Sequence, residues 1–161
     1  MDPTFRLPPG RHAAVPGTPQ LAACFMADVM LDPERDHGLT PAGRRLHVRI
    51  VGGRVWGPGL QAQVLPGGAD WQVLRNDGML ELEAIYDLQA DDGTLIHVRN
   101  RGLWTSPTGD WPASYAMSQP RFEAPEGPHG WLNRYQFLAT VGPGPVPATS
   151  VHLRFFQVLP G

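Results

Sequence analysis

Residues 70–101 read DWQVLRNDGMLELEAIYDLQADDGTLIHVRNR, and the two turn signals inside this stretch decide the fold. Asn76-Asp77-Gly78 and Asp91-Asp92-Gly93 each suit a three-residue hairpin loop, a type I turn closed by a glycine in the left-handed region. Arg75 then pairs with Met79 and Ala90 with Thr94, and every other pairing follows by counting. One face of the resulting sheet carries Leu74 opposite Leu80, Gln72 opposite Leu82, Tyr86 opposite Val98 and Leu88 opposite Ile96. The other face sets Trp71 opposite Glu83, Val73 opposite Glu81, Glu83 opposite Arg101 and Asp87 opposite His97. Opposite charges paired across strands mark a solvent face, so the first face is the core.

That core face holds an anomaly. Asp70, Ala84 and Asn100 fall in one row across three neighbouring strands, with Gln72 and Tyr86 beside them. Burying such polar groups unpaired costs about 1–3 kcal/mol each, and a charge costs more. They must meet one another, water or a ligand, and the small Ala84 leaves the room a ligand needs.

The same period of two runs outward from this stretch. Leu46, Val48 and Ile50 alternate with His47 and Arg49; Leu60, Ala62 and Val64 with Gln61 and Gln63; Val151, Leu153 and Phe155 with His152 and Arg154. No long segment has helical spacing, and 19 glycines with 18 prolines favour short strands and many turns. Connections rich in these two residues lie at 66–68, 105–112, 124–130 and 142–147. An all-β, single-domain antiparallel β-barrel of about eight to nine strands is expected over 20–161, with a sandwich as the second architecture. A Pro-rich arm, residues 1–19, precedes it with five prolines and no periodic apolar pattern.

Charge and cysteine content exclude several chemistries. All 13 basic residues are arginine, so lysine Schiff-base chemistry and the phosphate-loop lysine are absent. A net charge of -2 gives no footprint for nucleic acid. The single cysteine, Cys24, reads as inert core and excludes an intramolecular disulfide or a cysteine-based zinc site. The longest apolar run, Leu21 to Ala27, is far too short for a membrane helix, and Asp28 ends it without a signal-peptide cleavage site. A cytoplasmic location is expected. No nucleotide fingerprint and no HxH or HExxH spacing occurs, so no cofactor is expected. Asp28, Asp32 and Asp36 read as a solvated acidic loop around Pro33.

Asp70 is the strongest candidate for a general base, because a carboxylate facing an apolar interior has its pKa raised by desolvation. The competing reading has its oxygens accepting backbone N–H groups of the Gly67-Gly68 turn. Glu123, at a strand end before a Pro/Gly loop, is a candidate partner acid, or else a solvated surface group. Tyr86 is either a core phenol or a proton donor. Along residues 131–137, WLNRYQF, the odd positions are mostly aromatic and expected to face inward on a strand. Trp131, Tyr135 and Asn133 would then add walls and an amide to the site, Asn133 joining Asn100 as an oxyanion donor. His129, in the Pro128-His129-Gly130 loop, is expected to line an opening.

Leu65-Pro66-Gly67-Gly68-Ala69-Asp70-Trp71, Arg75-Asn76-Asp77-Gly78, Asp91-Asp92-Gly93-Thr94-Leu95-Ile96 and Val98-Arg99-Asn100-Arg101-Gly102 together resemble the domain of unknown function 3237 family. Pro120-Arg121-Phe122-Glu123 and Trp131-Leu132-Asn133 complete a resemblance that covers roughly Leu21 to Leu159. It implies a small antiparallel barrel, comparable in shape to allene oxide cyclase or a lipocalin, and inward polar positions at Asp70, Asn100, Glu123 and Asn133. Against the family pattern, Met117 stands where an arginine is expected, Glu83 for an aspartate, Ile85 for an arginine and His129 for a tyrosine. Loss of the arginine at 117 points away from a carboxylate ligand. The expected function is a cofactor-independent isomerase, cyclase or lyase acting on a small, mostly apolar carbonyl-containing or polyketide-like molecule. The alternatives are a barrel that binds such a molecule without turnover, and a self-assembling structural protein. The expected partner is a small molecule, neither nucleic acid nor membrane, with a homo-oligomer left open.

Overall fold

The computed structural model describes residues 17–161; of the Pro-rich arm, residues 1–16 lie outside the described residues. The strands in chain order are β1 (Gln20–Leu31), β2 (Arg35–Thr40), β3 (Gly43–Trp56), β4 (Ala62–Val64), β5 (Ala69–Leu74), β6 (Leu80–Ala90), β7 (Leu95–Thr105), β8 (Tyr115–Glu123), β9 (Gln136–Pro143) and β10 (Ser150–Leu159). Both central hairpins form with the expected register. The Arg75 and Ala90 amides donate to Met79 and Thr94 carbonyls, each at 2.9 Å. Gly78 and Gly93 take φ of 85° and 86°, the left-handed region that a side chain would disfavour. Asp70, Ala84 and Asn100 lie in one row, as counted from the turns.

The sheet closes on itself. β1, β10, β9, β8, β7 and β6 are successive antiparallel neighbours, and β3 pairs back to β1. β4 and β5 share the slot between β6 and β3: β4 pairs with Arg54 and Val55, β5 with Arg44 to Arg49. The barrel thus has eight strand positions, with β2 a flap on the part of β3 that β1 does not reach. Between β4 and β5 the chain steps inward at Gly68, where a Cβ would lie 2.5 Å from both the Ile85 carbonyl oxygen and the Tyr86 Cβ. Glycine at 68 is therefore what lets β5 start directly against β6.

One end of the barrel is packed solid. Phe25, Phe122, Phe137 and Phe155 meet with ring centroids 4.8 to 6.5 Å apart, in edge and tilted arrangements. Leu132 plugs this end from outside the sheet and is 1% exposed. The segment that carries it corrects the sequence reading. Gly130–Arg134 is a short 3-10 helix, not the start of a strand, and β9 begins only at Gln136. The aromatic alternation of Trp131 and Tyr135 imitates a strand, but i→i+3 bonds from Gly130 to Gly127 and from Leu132 to His129 wind the backbone.

A second correction concerns the acidic stretch. Asp28 is buried within β1, where His152 Nδ1 lies 2.8 Å from its carboxylate, while Asp32 and Asp36 pair with Arg49 and Arg44. Cys24 is core as expected, at the irregularity between Ala23 and Phe25, and burial pushes its thiol up.

Candidate functional site

At the end opposite the phenylalanines the inward positions change character. Following β7 from Val98, they become Asn100, Gly102 and Trp104; following β8 from Phe122, they become Pro120 and Ser118. On β6, Tyr86 is followed by Ala84, Leu82 and Leu80. Small and polar residues replace large apolar ones, and a cavity of about 290 Å³ results. Its apolar walls include Val29, Val48, Ile50, Leu80, Leu82 and Leu153. Asp70, Gln72, Tyr86 and Asn100 all line it, the four residues that the hairpin register assigns to one inward face.

Asp70 is held from two sides. Its Oδ2 accepts a bond from Gln72 Nε2 at 2.7 Å. Its Oδ1 accepts the Glu83 amide at 2.9 Å, in a part of the β5–β6 ladder that pairs at Asp70–Ala84 and again at Val73–Glu81. The Gly67-Gly68 turn of the competing reading is not the backbone partner; the neighbouring strand is. Burial pushes this carboxyl up to about 6, against the lowering effect of the Gln72 and Glu83 bonds, with the Glu83 charge adding to the rise. Two acceptor directions on the carboxylate are left unused by these bonds. Tyr86 is 5% exposed, and burial together with the Asp70 charge raises its phenol far above the ordinary value, so it is a neutral donor.

Two further groups are buried without partners: the Oδ1 of Asn100 and the hydroxyl of Ser118, in residues 6% and 5% exposed. An orphaned buried polar atom costs about 1–3 kcal/mol, and both of these lie in residues of the cavity wall.

Six expected site residues lie elsewhere. Glu123 is exposed on the outer face opposite His97, because the inward position beside it belongs to Phe122. Met117 also faces outward and lines a broad groove with Trp71, Leu103 and Tyr115, so the arginine it replaces in the family pattern would not have reached the cavity. His129 pairs with Asp92 at 2.9 Å. Trp131 packs on Phe137 at 5.8 Å, at the closed end. Asn133 is exposed and spends its amide on the backbone of Ala124, accepting from the N–H and donating to the carbonyl at 2.8 Å each. Tyr135 is 45% exposed.

Conversely, Ser118, Trp104, Trp111, Asp110 and Glu34 line the cavity and escaped the sequence reading. Trp104 had a signal, since it shares parity with Asn100 two steps along β7. The loop residues had none. Among the described residues no three His, Cys, Asp or Glu side chains gather as metal ligands would, and no helix is long and apolar enough to cross a membrane.

The family described as Protein of unknown function (DUF3237) matches residues 19–158. The chain belongs to that family. A relative in Rhodopseudomonas palustris, UPF0311 protein RPA1785, is 36% identical over 109 residues, 61% of this chain and 71% of the relative. UPF0311 protein CA_C3321 of Clostridium acetobutylicum is 32% identical over 127 residues, 72% and 78% of the two chains. The crystal structure of RPA1785 superposes with a TM-score of 0.81 at 31% identity, covering 88% of this chain and 99% of that one. A beta-barrel like protein from Acinetobacter baumannii matches at 0.79 and 25% identity, covering 91% and 100%. An enzyme from Penicillium herquei shares the fold at 0.72 and 22% identity, covering 91% and 99%.

Proposed function

We propose that the cavity is the active site of a cofactor-independent enzyme, an isomerase, cyclase or lyase working on a small, mostly apolar carbonyl compound. Asp70 removes a proton from the carbon next to the carbonyl, and the enolate oxygen that forms accepts hydrogen bonds from Tyr86 and the Asn100 amide. The same proton returns from Asp70 to another carbon or to a leaving group. One carboxyl suffices as acid and base because its protonated and ionised forms are both populated near neutral pH, and Glu123 is too far removed to help. The observation that carries this reading is a desolvated carboxyl, raised to about 6, in the wall of an apolar cavity. That one distant barrel of the same shape is an enzyme fits the proposal but bears on the fold alone.

The runner-up is a barrel that binds without turnover. It is favoured by the two hydrogen bonds that already occupy Asp70, since they would also fix a carboxylate whose task is only to orient a guest. Exchange of the α-protons of 2-tetralone in D2O separates the two. A working base accelerates exchange above buffer, with a rate that climbs as pH rises through about 6 and then levels. Asp70→Asn lowers that rate by about 100-fold or more while the affinity for the ketone stays within a few-fold. Absence of acceleration by the wild-type protein would leave the binding barrel standing.

A further inference from the structure

The charges around the cavity have one sign. Asp32, Glu34, Asp70 and Asp110 belong to its lining, and no arginine or histidine of the described residues does. Asp32 is paired with Arg49, whereas Glu34 and Asp110 form no ion pair among the described residues. Two indole rings share this lining: Trp104 and Trp111 stand at 86° with centroids 5.6 Å apart. Asp110 sits beside them, its Oδ1 accepting the Trp111 amide at 2.7 Å.

Among the described residues, an anion would meet carboxylates on every charged side of the lining and no counter-charge within it. A protonated amine or quaternary ammonium would instead meet carboxylates and indole faces, with aliphatic walls for the rest of the molecule. We infer that the cavity takes a small organic cation, an ammonium-bearing molecule with an apolar body, its charged head between Trp104, Trp111, Asp110 and Glu34. This names the ligand class of the site proposed above and rests on that cavity being a ligand site. The inference concerns the head group, so it can fail while the cavity reading survives.

Three probes of matched body test it: 4-phenylbutylammonium, 4-phenylbutan-1-ol and 4-phenylbutyrate, titrated by calorimetry against the full chain at pH 7.5 and low salt. The ammonium should bind about 10-fold or more tightly than the alcohol, with the carboxylate weakest. The double variant Glu34→Gln/Asp110→Asn, both sites being exposed, should cut the ammonium's advantage over the alcohol several-fold. An alcohol that binds as well as the ammonium overturns the cation inference while upholding the cavity. A preference that survives the double variant overturns it too, since the selectivity would then arise elsewhere. If none of the three binds at millimolar concentration the inference falls, and tetralone exchange on the same sample decides the enzyme reading separately.

Discussion

The two ends of this barrel are built on the same strands and by the same alternation, yet they differ in what alternation places inside. At the closed end, inward positions are Phe25, Phe122, Phe137 and Phe155, interlocked with Ile96 and Val98 at 0% exposure. At the open end, the inward positions of β5 to β8 include Asn100, Gly102, Ser118, Ala84 and Asp70. The first set gains from leaving water, about 1.5–3 kcal/mol for each large side chain. The second set contains a raised carboxyl and two orphaned polar atoms, each a cost that the packed end must offset. One end holds the molecule together and the other is held open at its expense, the pattern expected of a binding or catalytic cavity.

That contrast can be broken in three places. The largest effect is expected from Phe137→Ala, which opens a void beside the rings of Phe25, Phe122 and Trp131 and should cost about 3–5 kcal/mol in urea-induced unfolding. A loss below about 1 kcal/mol would mean that the closed end does not carry the stability.

Next comes Asp70→Asn. A carboxyl held near 6 in the fold against an ordinary 3.8 favours the folded state when protonated. Stability from this group is therefore complete below about pH 4, declines as pH rises through 6 and stays low above it. Asp70→Asn should remove that decline, so the variant should exceed the wild type by up to roughly 3 kcal/mol at pH 8 and match it at pH 3.5. Equal stability of the two proteins across the whole pH range would show an Asp70 without desolvation strain.

The smallest effect is expected at Ser118→Ala. Removing an orphaned hydroxyl should leave stability unchanged or raise it by up to about 1 kcal/mol, read as a small upward shift in Tm. A clear loss would reveal a partner for that hydroxyl and sharpen the picture of the wall.

Much of the open end is legible in the sequence because hairpin turns act as rulers. Once Gly78 and Gly93 fix two turns, parity assigns Asp70, Gln72, Tyr86 and Asn100 to one face without any distant information. The same parity would have carried Trp104 into the site. Where the reading fails, a loop stands between the residue and any ruler. Residues 131–137 alternate like a strand, but a 3-10 helix satisfies the backbone locally and Asn133 completes it by bonding to Ala124. Glu123 fails for the opposite reason: parity with Phe122 already sends it outward, and its place at a strand end hid this.

The register of the central hairpins and the sidedness of the polar row are legible along the chain, because turn chemistry and a period of two are local. Which inward residues share one cavity depends on the closed barrel. Closure between β1 and β3 and between β1 and β10 joins residues distant in the chain, Gln20 with Leu159 at the extreme. It is closure that gathers Ser118, Glu34 and the Trp104–Trp111 pair round Asp70, and that sends Trp131 to the other end. A side chain's face follows from its neighbours in sequence, whereas its company follows from how the sheet curves back upon itself.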